Sequence, residues 1–174
     1  MNYSYIVLFF YFLLFLIYNY IGDKMRKKVY LLSIIFFIID LLSKVFILKI
    51  NVKMPYTIIK NFFYIDLVSN NGAAFSILSG GTLLFIIIAI IVLFYIDRYI
   101  VTDTDKYLYI SLVIGGIIGN LFDRIAYGSV IDFLSFKFET YYFPIFNLAD
   151  VFICTGVFLL AFEYLRGGHN ENKS

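Results

Sequence analysis

Two aspartates in a mostly apolar chain have the residue type and placement that water-activating chemistry needs. Asp132 lies in a short run of alternating side chains, and Asp150 lies at the start of an apolar stretch. Two carboxyl groups that meet in a poorly hydrated site share one proton and titrate as a unit. The ionised member takes a proton from water while the protonated member polarises a carbonyl group. The pair therefore predicts aspartic-protease chemistry.

Further polar residues in apolar stretches are predicted to support this pair. Asp40 and Lys44 are spaced i,i+4 with the acid first, the favourable order for an ion pair on a helix. Asn120, Asp123 and Arg124 share one helical face, and we expect a carboxylate–guanidinium pair between the last two. For each set, a purely structural role stays open beside a role in the site, because ionisable groups in membrane spans are costly unless they are paired.

The start of the last apolar stretch is predicted to carry a helix cap. Asn147 lies three residues before Asp150, so its side chain can cap the helix while the acid complements the helix dipole. Ala149 lies between them, where the apolar stretch begins. Asn70 and Gly72 lie in a polar loop, and a glycine there permits close approach of a backbone, although it also suits a plain tight turn.

The composition excludes several classes of protein. Of 174 residues, 62% are hydrophobic and 15% are charged, against about 45–50% and roughly 25% in soluble domains. These values exclude a water-soluble globule and a disordered chain. A net charge of +2 is too balanced for a nucleic-acid binder. With one cysteine, Cys154, and one histidine, His169, we expect no disulfide, no metal and no cofactor, and we expect both residues to be inert.

The hydropathy pattern predicts an all-α polytopic membrane protein with a four-helix transmembrane core. A span needs about 20 mostly apolar residues. Four stretches qualify: 29–50, 82–96, 107–127 and 149–166. The basic residues at positions 24–28 place the start of the first span in the cytoplasm. The segments 50–81 and 128–148 then lie outside, where alternating side chains predict small extracytoplasmic β elements.

Three segments are predicted along the chain. Residues 25–166 form the membrane-embedded domain, and residues 167–174 form a polar, frayed cytoplasmic tail. Residues 1–24 are an extra apolar segment, either a further N-terminal helix or the product of a misassigned start, since Met25 begins a basic sequence of its own.

The predicted topology brings the polar residues to one side of the membrane. Asp40 and Lys44 lie in the outer half of an outward-going span. Asp123 lies about 24 Å along its helix from Tyr107, at 1.5 Å per residue, and so reaches the outer boundary. We therefore expect one site at the extracytoplasmic face.

Sequence motifs in a fixed order resemble those of the bacterial lipoprotein signal peptidases (signal peptidase II). Each motif alone is weak, but the order and the matching spans are specific, and the resemblance covers about residues 25–166. The motifs are Asp-Leu-Leu-Ser-Lys at 40–44, Asn-Asn-Gly-Ala-Ala-Phe-Ser at 70–76, Gly-Asn-Leu-Phe-Asp-Arg at 119–124, Gly-Ser-Val-Ile-Asp-Phe at 128–133 and Phe-Asn-Leu-Ala-Asp at 146–150.

The resemblance implies an aspartic endopeptidase of the bacterial inner membrane with both termini of the four-span domain in the cytoplasm. Such enzymes remove the signal peptide from diacylglyceryl-modified prolipoproteins, just before the lipidated cysteine, and are inhibited by globomycin. We expect a monomer that contacts membrane lipid and binds no nucleic acid. Motif matching implies Asp132 and Asp150 as the catalytic pair. It implies site-lining or supporting roles for Asn70, Gly72, Asn120, Asp123, Arg124, Asn147, Ala149, Asp40 and Lys44.

Two alternatives to a peptidase stay open. One is a proton- or ion-coupled transporter that uses intramembrane carboxylates as a relay. Transport sites lie near the bilayer midplane between repeats, whereas the sequence shows no repeat and its acids gather at one face. The other is a non-catalytic scaffold, in which the polar groups only join helices and Asp132→Asn is nearly harmless.

Overall fold

The structure is a computed structural model that describes residues 24–50, 55–72, 81–100 and 106–171. The extra apolar segment at 1–24 lies outside the described residues except for Lys24. Its interpretation as a helix or as a misassigned start therefore stays open.

Four helices account for most of the described chain. Each forms a span long and apolar enough to cross a membrane, the second together with the helical turn that follows it, as far as Tyr99. They are α1 (Lys24–Lys49), α2 (Thr82–Tyr95), α3 (Tyr107–Tyr127) and α4 (Leu148–Glu171). These helices match the four predicted stretches. The last helix continues to Glu171, so the prediction of a frayed tail from residue 167 is wrong for its first residues, because an established helix adds residues at low cost.

The strands predicted on either side of α2 and α3 form one small antiparallel sheet in the order β1-β2-β3-β4. Their bounds are Tyr56–Ile59 for β1, Phe63–Asn70 for β2, Val130–Phe138 for β3 and Tyr141–Tyr142 for β4. In the register between β2 and β3, Val68 lies opposite Asp132 and Asn70 lies opposite Val130. The sheet therefore carries one of the two aspartates.

A glycine turn joins α3 directly to β3. Gly128 adopts a left-handed backbone conformation with φ of 77°, and its N–H bonds the carbonyl of Arg124 at 3.1 Å. Glycine takes this conformation without the steric penalty of a side chain, which makes it a common residue after the end of a helix. The turn reverses the chain, so the strand begins beside the last turn of α3.

The central helix α3 packs closely against α1 and α4 through glycines. A Cβ atom at Gly115 would lie 2.8 Å from the backbone oxygen of Ser33 on α1, and one at Gly119 would collide with the Asp40 carboxylate. Gly115 and Gly119 are four residues apart on α3, a spacing of small residues that lets helices approach closely in a membrane protein.

The helix α2 lies at the edge of the bundle and has no buried residue in its Thr82–Tyr95 range. Thr82 donates a hydrogen bond to the carbonyl of Gly128 at 2.8 Å at one end. At the other end, a π-helical turn follows α2 and contains Asp97, which forms an ion pair with Arg26 of α1 at 3.2 Å. One side of this apolar helix packs against the bundle and the rest is exposed, which fits a lipid surrounding.

The glycine contact between α3 and α4 predicts a stability effect at Gly156. A Cβ atom there would lie 2.6 Å from the backbone oxygen of Tyr109, so Gly156→Ala forces the helices apart. We expect a loss of about 1–3 kcal/mol, seen as a lower thermal melting midpoint in detergent. Val157→Ala, at an exposed neighbour, is the control and changes the midpoint little. An unchanged midpoint for Gly156→Ala would contradict this packing.

Candidate active site

The two aspartates predicted from the sequence face one cavity of about 300 Å³. Asp132 is the third residue of β3 and is only 2% exposed, while Asp150 is the third residue of α4 and is partly buried. The cavity lies at the end of the bundle that carries the sheet. Its lining residues are Asn70, Gly72, Asn120, Arg124, Val130, Asp132, Phe143, Pro144, Ile145, Phe146, Asp150 and Cys154.

Asn147 joins the two aspartates. Its side-chain Nδ2 donates to Asp132 Oδ1 at 2.7 Å, and its backbone N–H donates to Asp150 Oδ2 at 3.2 Å. In return, the backbone N–H of Asp150 donates to Asn147 Oδ1 at 3.0 Å. This reciprocal pair is a capping box, so the predicted cap of the last helix is present. The same cap holds both carboxylates in place.

Two further asparagines complete the hydrogen bonding of the pair. Asn70 Nδ2 donates to Asp132 Oδ2, and Asn120 Nδ2 donates to Asp150 Oδ1, each at 2.8 Å. Asn147 Nδ2 also donates to Asn120 Oδ1 at 3.1 Å. Each of the four carboxylate oxygens therefore accepts one amide N–H from the described residues, and a carboxylate oxygen has a second lone pair that can bond a proton or a water molecule.

The surroundings of Asp132 favour its protonated form. The pKa of Asp132 is raised to about 6, with burial as the largest cause and repulsion from Asp150 acting in the same direction. Hydrogen bonds from Asn70 and Asn147 oppose the shift, because they stabilise the ionised form. A carboxyl group in this position retains a proton more readily than an exposed aspartate does.

A buried ionic triad lies behind the cavity. Lys44 Nζ lies 2.7 Å from Asp40 Oδ2 and 2.8 Å from Asp123 Oδ2, and all three side chains are 1% exposed. The predicted pair of Asp40 and Lys44 is present. The predicted pair of Asp123 with Arg124 is wrong, because consecutive helical residues point in different directions. The Asp123 carboxylate instead crosses to Lys44 on α1.

Arg124 faces the cavity rather than Asp123. Its Nη1 donates to the backbone oxygen of Asn120 at 3.3 Å, and its Nη2 lies 3.5 Å from the backbone oxygen of Gly72. The guanidinium also lies over the ring of Phe85, 5.1 Å from its centroid. The backbone N–H of Gly72 bonds Asn70 Oδ1 at 3.0 Å. Gly72 is thus held at the edge of the cavity from two sides.

The sequence prediction missed the apolar wall of the cavity. This wall includes Phe143, Ile145 and Phe146, which belong to the segment between β4 and α4. Cys154, expected to be inert, also lines the cavity. Its i,i+4 spacing from Asp150 was the available signal, because it places both on one helical face. The wall itself could have been expected from its position between the strand and the helix that carry the aspartates.

The predicted supporting residues fall into two groups. Asn70, Gly72, Asn120 and Arg124 line the cavity with the aspartates. Asn147, Ala149, Asp40, Lys44 and Asp123 lie behind it and are buried. Within the part of the chain that the structure describes, no three His, Cys, Asp or Glu side chains are placed to hold a metal ion.

Comparison with known proteins decides the family. The model of the family described as signal peptidase (SPase) II matches residues 32–166. The chain belongs to the signal peptidase II family. Membership makes it a protease of lipoprotein processing, and its four apolar helices fit a multi-pass membrane protein.

Named relatives of the family are similar over most of their length. A lipoprotein signal peptidase of Caldicellulosiruptor bescii is 42% identical over 138 residues, which are 78% of this chain and 89% of the relative. A lipoprotein signal peptidase of Bacillus pumilus is 35% identical over 151 residues, which are 83% of this chain and 97% of the relative.

Solved structures support the same assignment for the fold. A bacterial membrane enzyme determined by the in meso method aligns with a TM-score of 0.73 and 34% identity, over 82% of this chain and 90% of that one. A second bacterial membrane enzyme aligns with a TM-score of 0.67 and 32% identity. These comparisons give no support to the transporter alternative.

The raised pKa of Asp132 predicts a pH-dependent stability. Asp132 has a pKa of about 6 in the folded protein against 3.8 as the ordinary value, so the unfolded chain releases its proton at lower pH. Between about pH 4 and pH 7 the folded state therefore loses about 2 kcal/mol from this group. Asp132→Asn cannot ionise and escapes this loss. The melting temperature of the variant minus that of the wild type should rise by several degrees over this range.

The comparison is a difference at each pH, so it cancels the titration of groups that do not interact with Asp132. The variant also carries a pH-independent loss, since its amide places one N–H against Asn70 or Asn147 where an oxygen accepted before. A melting difference that stays constant from about pH 4 to pH 7 would contradict the raised pKa.

Proposed function

We propose that this chain is an aspartic endopeptidase that removes the signal peptide from diacylglyceryl-modified prolipoproteins, cleaving just before the lipidated cysteine. One observation carries the proposal. Asn147 bonds both Asp132 and Asp150. A single residue therefore holds two carboxylates from separate parts of the chain at one cavity, as a shared-proton pair requires.

In the proposed reaction a water molecule lies between the two carboxyl groups. The ionised carboxylate takes a proton from the water, and the oxygen attacks the carbonyl carbon of the scissile peptide bond. The protonated carboxyl group donates to the carbonyl oxygen, which gives a neutral tetrahedral intermediate. On its collapse the C–N bond breaks and the leaving nitrogen takes a proton from one member of the pair. A hydroxyl group of the intermediate returns its proton to the other member as the carbonyl group forms again, so the pair ends with one proton, as it began.

The walls of the cavity suit a peptide next to an apolar segment. One side presents amide and guanidinium donors from Asn70, Asn120 and Arg124, which can bond backbone carbonyl groups. The other side presents Phe143 and Ile145, which can contact apolar side chains or acyl chains. A signal peptide joined to a lipidated cysteine has both kinds of surface.

The distribution of charge along α1 supports an active site on the extracytoplasmic face of the inner membrane. The basic residues at 24–28 begin α1, and positive clusters at span ends lie in the cytoplasm. Asp40 lies about 24 Å further along this helix, at 1.5 Å per residue. The site therefore meets the outer leaflet, where the acyl chains of the substrate are held.

We also propose that the enzyme is a monomer and that globomycin inhibits it.

Replacement of either aspartate tests the proposed reaction. Asp132→Asn and Asp150→Asn each keep the size of the side chain but leave no carboxyl pair to share a proton. We expect cleavage of a diacylglyceryl-modified prolipoprotein to fall at least about 1,000-fold for each variant, measured on folded protein in detergent. In the wild type, globomycin should block cleavage.

The matched control is Asp66→Asn, an acid on the neighbouring strand that lies outside the cavity lining and bonds only the backbone of Leu67 among the contacts described. Its cleavage rate should equal that of the wild type. Wild-type cleavage by either folded aspartate variant would refute the aspartic mechanism and would favour the scaffold alternative.

Removal of residues 1–24 tests whether the extra apolar segment belongs to the working enzyme. Among the described residues, the contacts that hold the two aspartates come from residues 40–150. We therefore expect the shortened chain to insert in the membrane and to cleave at the wild-type rate in the same assay. Complete loss of cleavage by a shortened chain that still folds would show that the segment takes part in the reaction.

A further inference from the structure

The buried triad contacts the backbone immediately before each aspartate. Asp40 Oδ1 accepts the backbone N–H of Ala149 at 2.9 Å, and Ala149 precedes Asp150. Asp123 Oδ2 accepts the backbone N–H of Ile131 at 3.1 Å, and Ile131 precedes Asp132. The two chain segments that carry the aspartates are thus bonded to two acids that share one lysine.

We propose that Lys44 is a positioning residue for the aspartate pair. It holds the Asp40 and Asp123 carboxylates together, and these fix the backbone N–H groups that set the spacing between Asp150 and Asp132. The proposal deepens the proposed function and rests on it. Lys44 acts through other residues, because it lies behind the cavity and does not line it.

The charges of the triad explain why a lysine is needed for this task. With all three groups ionised, two carboxylates of like charge lie within hydrogen-bond distance of one ammonium group in a dry interior. Without the ammonium, the carboxylates would repel each other and would bind a proton or turn toward water. Either response breaks the two hydrogen bonds to the backbone, and the distance between the two aspartates is no longer fixed.

The packing around Asp40 shows that the triad has little freedom. Gly119 on α3 lies so close that an added Cβ atom would collide with Asp40 Oδ2, the atom that bonds Lys44. A carboxylate is short and cannot retreat without leaving Lys44 or Ala149. Gly119→Ala therefore offers a way to displace the triad without removing any of its charges.

The decisive readout separates positioning from stability. We expect Lys44→Met to lower kcat at least about 100-fold, with KM within about threefold of the wild type, when rates are given per folded molecule. The cavity still binds substrate, but its aspartates are misplaced. A residue that only stabilised the fold would lower the amount of folded enzyme and leave its kcat unchanged.

Two glycine variants keep the test valid if Lys44→Met does not fold. Gly119→Ala should lower kcat at least about tenfold with KM unchanged, because it displaces Asp40. Gly156→Ala is the control, since it strains another contact of α3, between α4 and the backbone of Tyr109, and leaves the triad intact. It should lose stability and keep the wild-type kcat.

The outcomes distinguish this proposal from the proposed function. Wild-type kcat in folded Lys44→Met or in Gly119→Ala overturns the positioning role, as does an equal fall in kcat for both glycine variants. Neither result affects the aspartic mechanism if Asp132→Asn is inactive. Cleavage by Asp132→Asn removes the function on which the positioning role rests. A fall in kcat confined to Lys44→Met and Gly119→Ala supports the positioning role.

Discussion

The cost of placing carboxylates among apolar side chains governs this structure. A buried carboxylate needs a hydrogen bond or a cation for its oxygens. An unpaired charge in a dry interior costs on the order of several kcal/mol, even after the surrounding protein has relaxed. The chain meets this need in two connected layers. In the front layer, asparagine amides bond the four oxygens of Asp132 and Asp150. In the back layer, Lys44 bonds Asp40 and Asp123.

The two layers of polar contacts explain how a bundle with many exposed helical residues can hold a well-defined site. Much of α2 and α4 is exposed and suits lipid contact, whereas α3 is buried at its centre. The polar contacts concentrate where α3 ends and where β3 and α4 begin. Because the amide donors are neutral, Asp132 and Asp150 can gain or lose a proton. The lysine lies behind them, where its positive charge balances the carboxylates of Asp40 and Asp123.

The sequence allows the local part of this arrangement to be predicted, because contacts three or four residues apart follow from helix geometry. The Asp40–Lys44 pair and the Asn147 cap are of this kind. Contacts between elements depend on helix packing and strand register, which no local spacing encodes. The pairing of Asp123 with Lys44, the Asn147 bond to Asp132 and the apolar wall belong to this second kind.

The pH dependence of kcat/KM for the wild-type enzyme tests the shared proton most directly. Across about pH 4 to 9, two carboxyl groups that share one proton give a bell-shaped profile, because activity needs one member ionised and the other protonated. The account predicts a fall on both sides of the maximum while the protein stays folded. A profile that rises with pH through one ionisation and then stays level would contradict it, since a single base would then suffice.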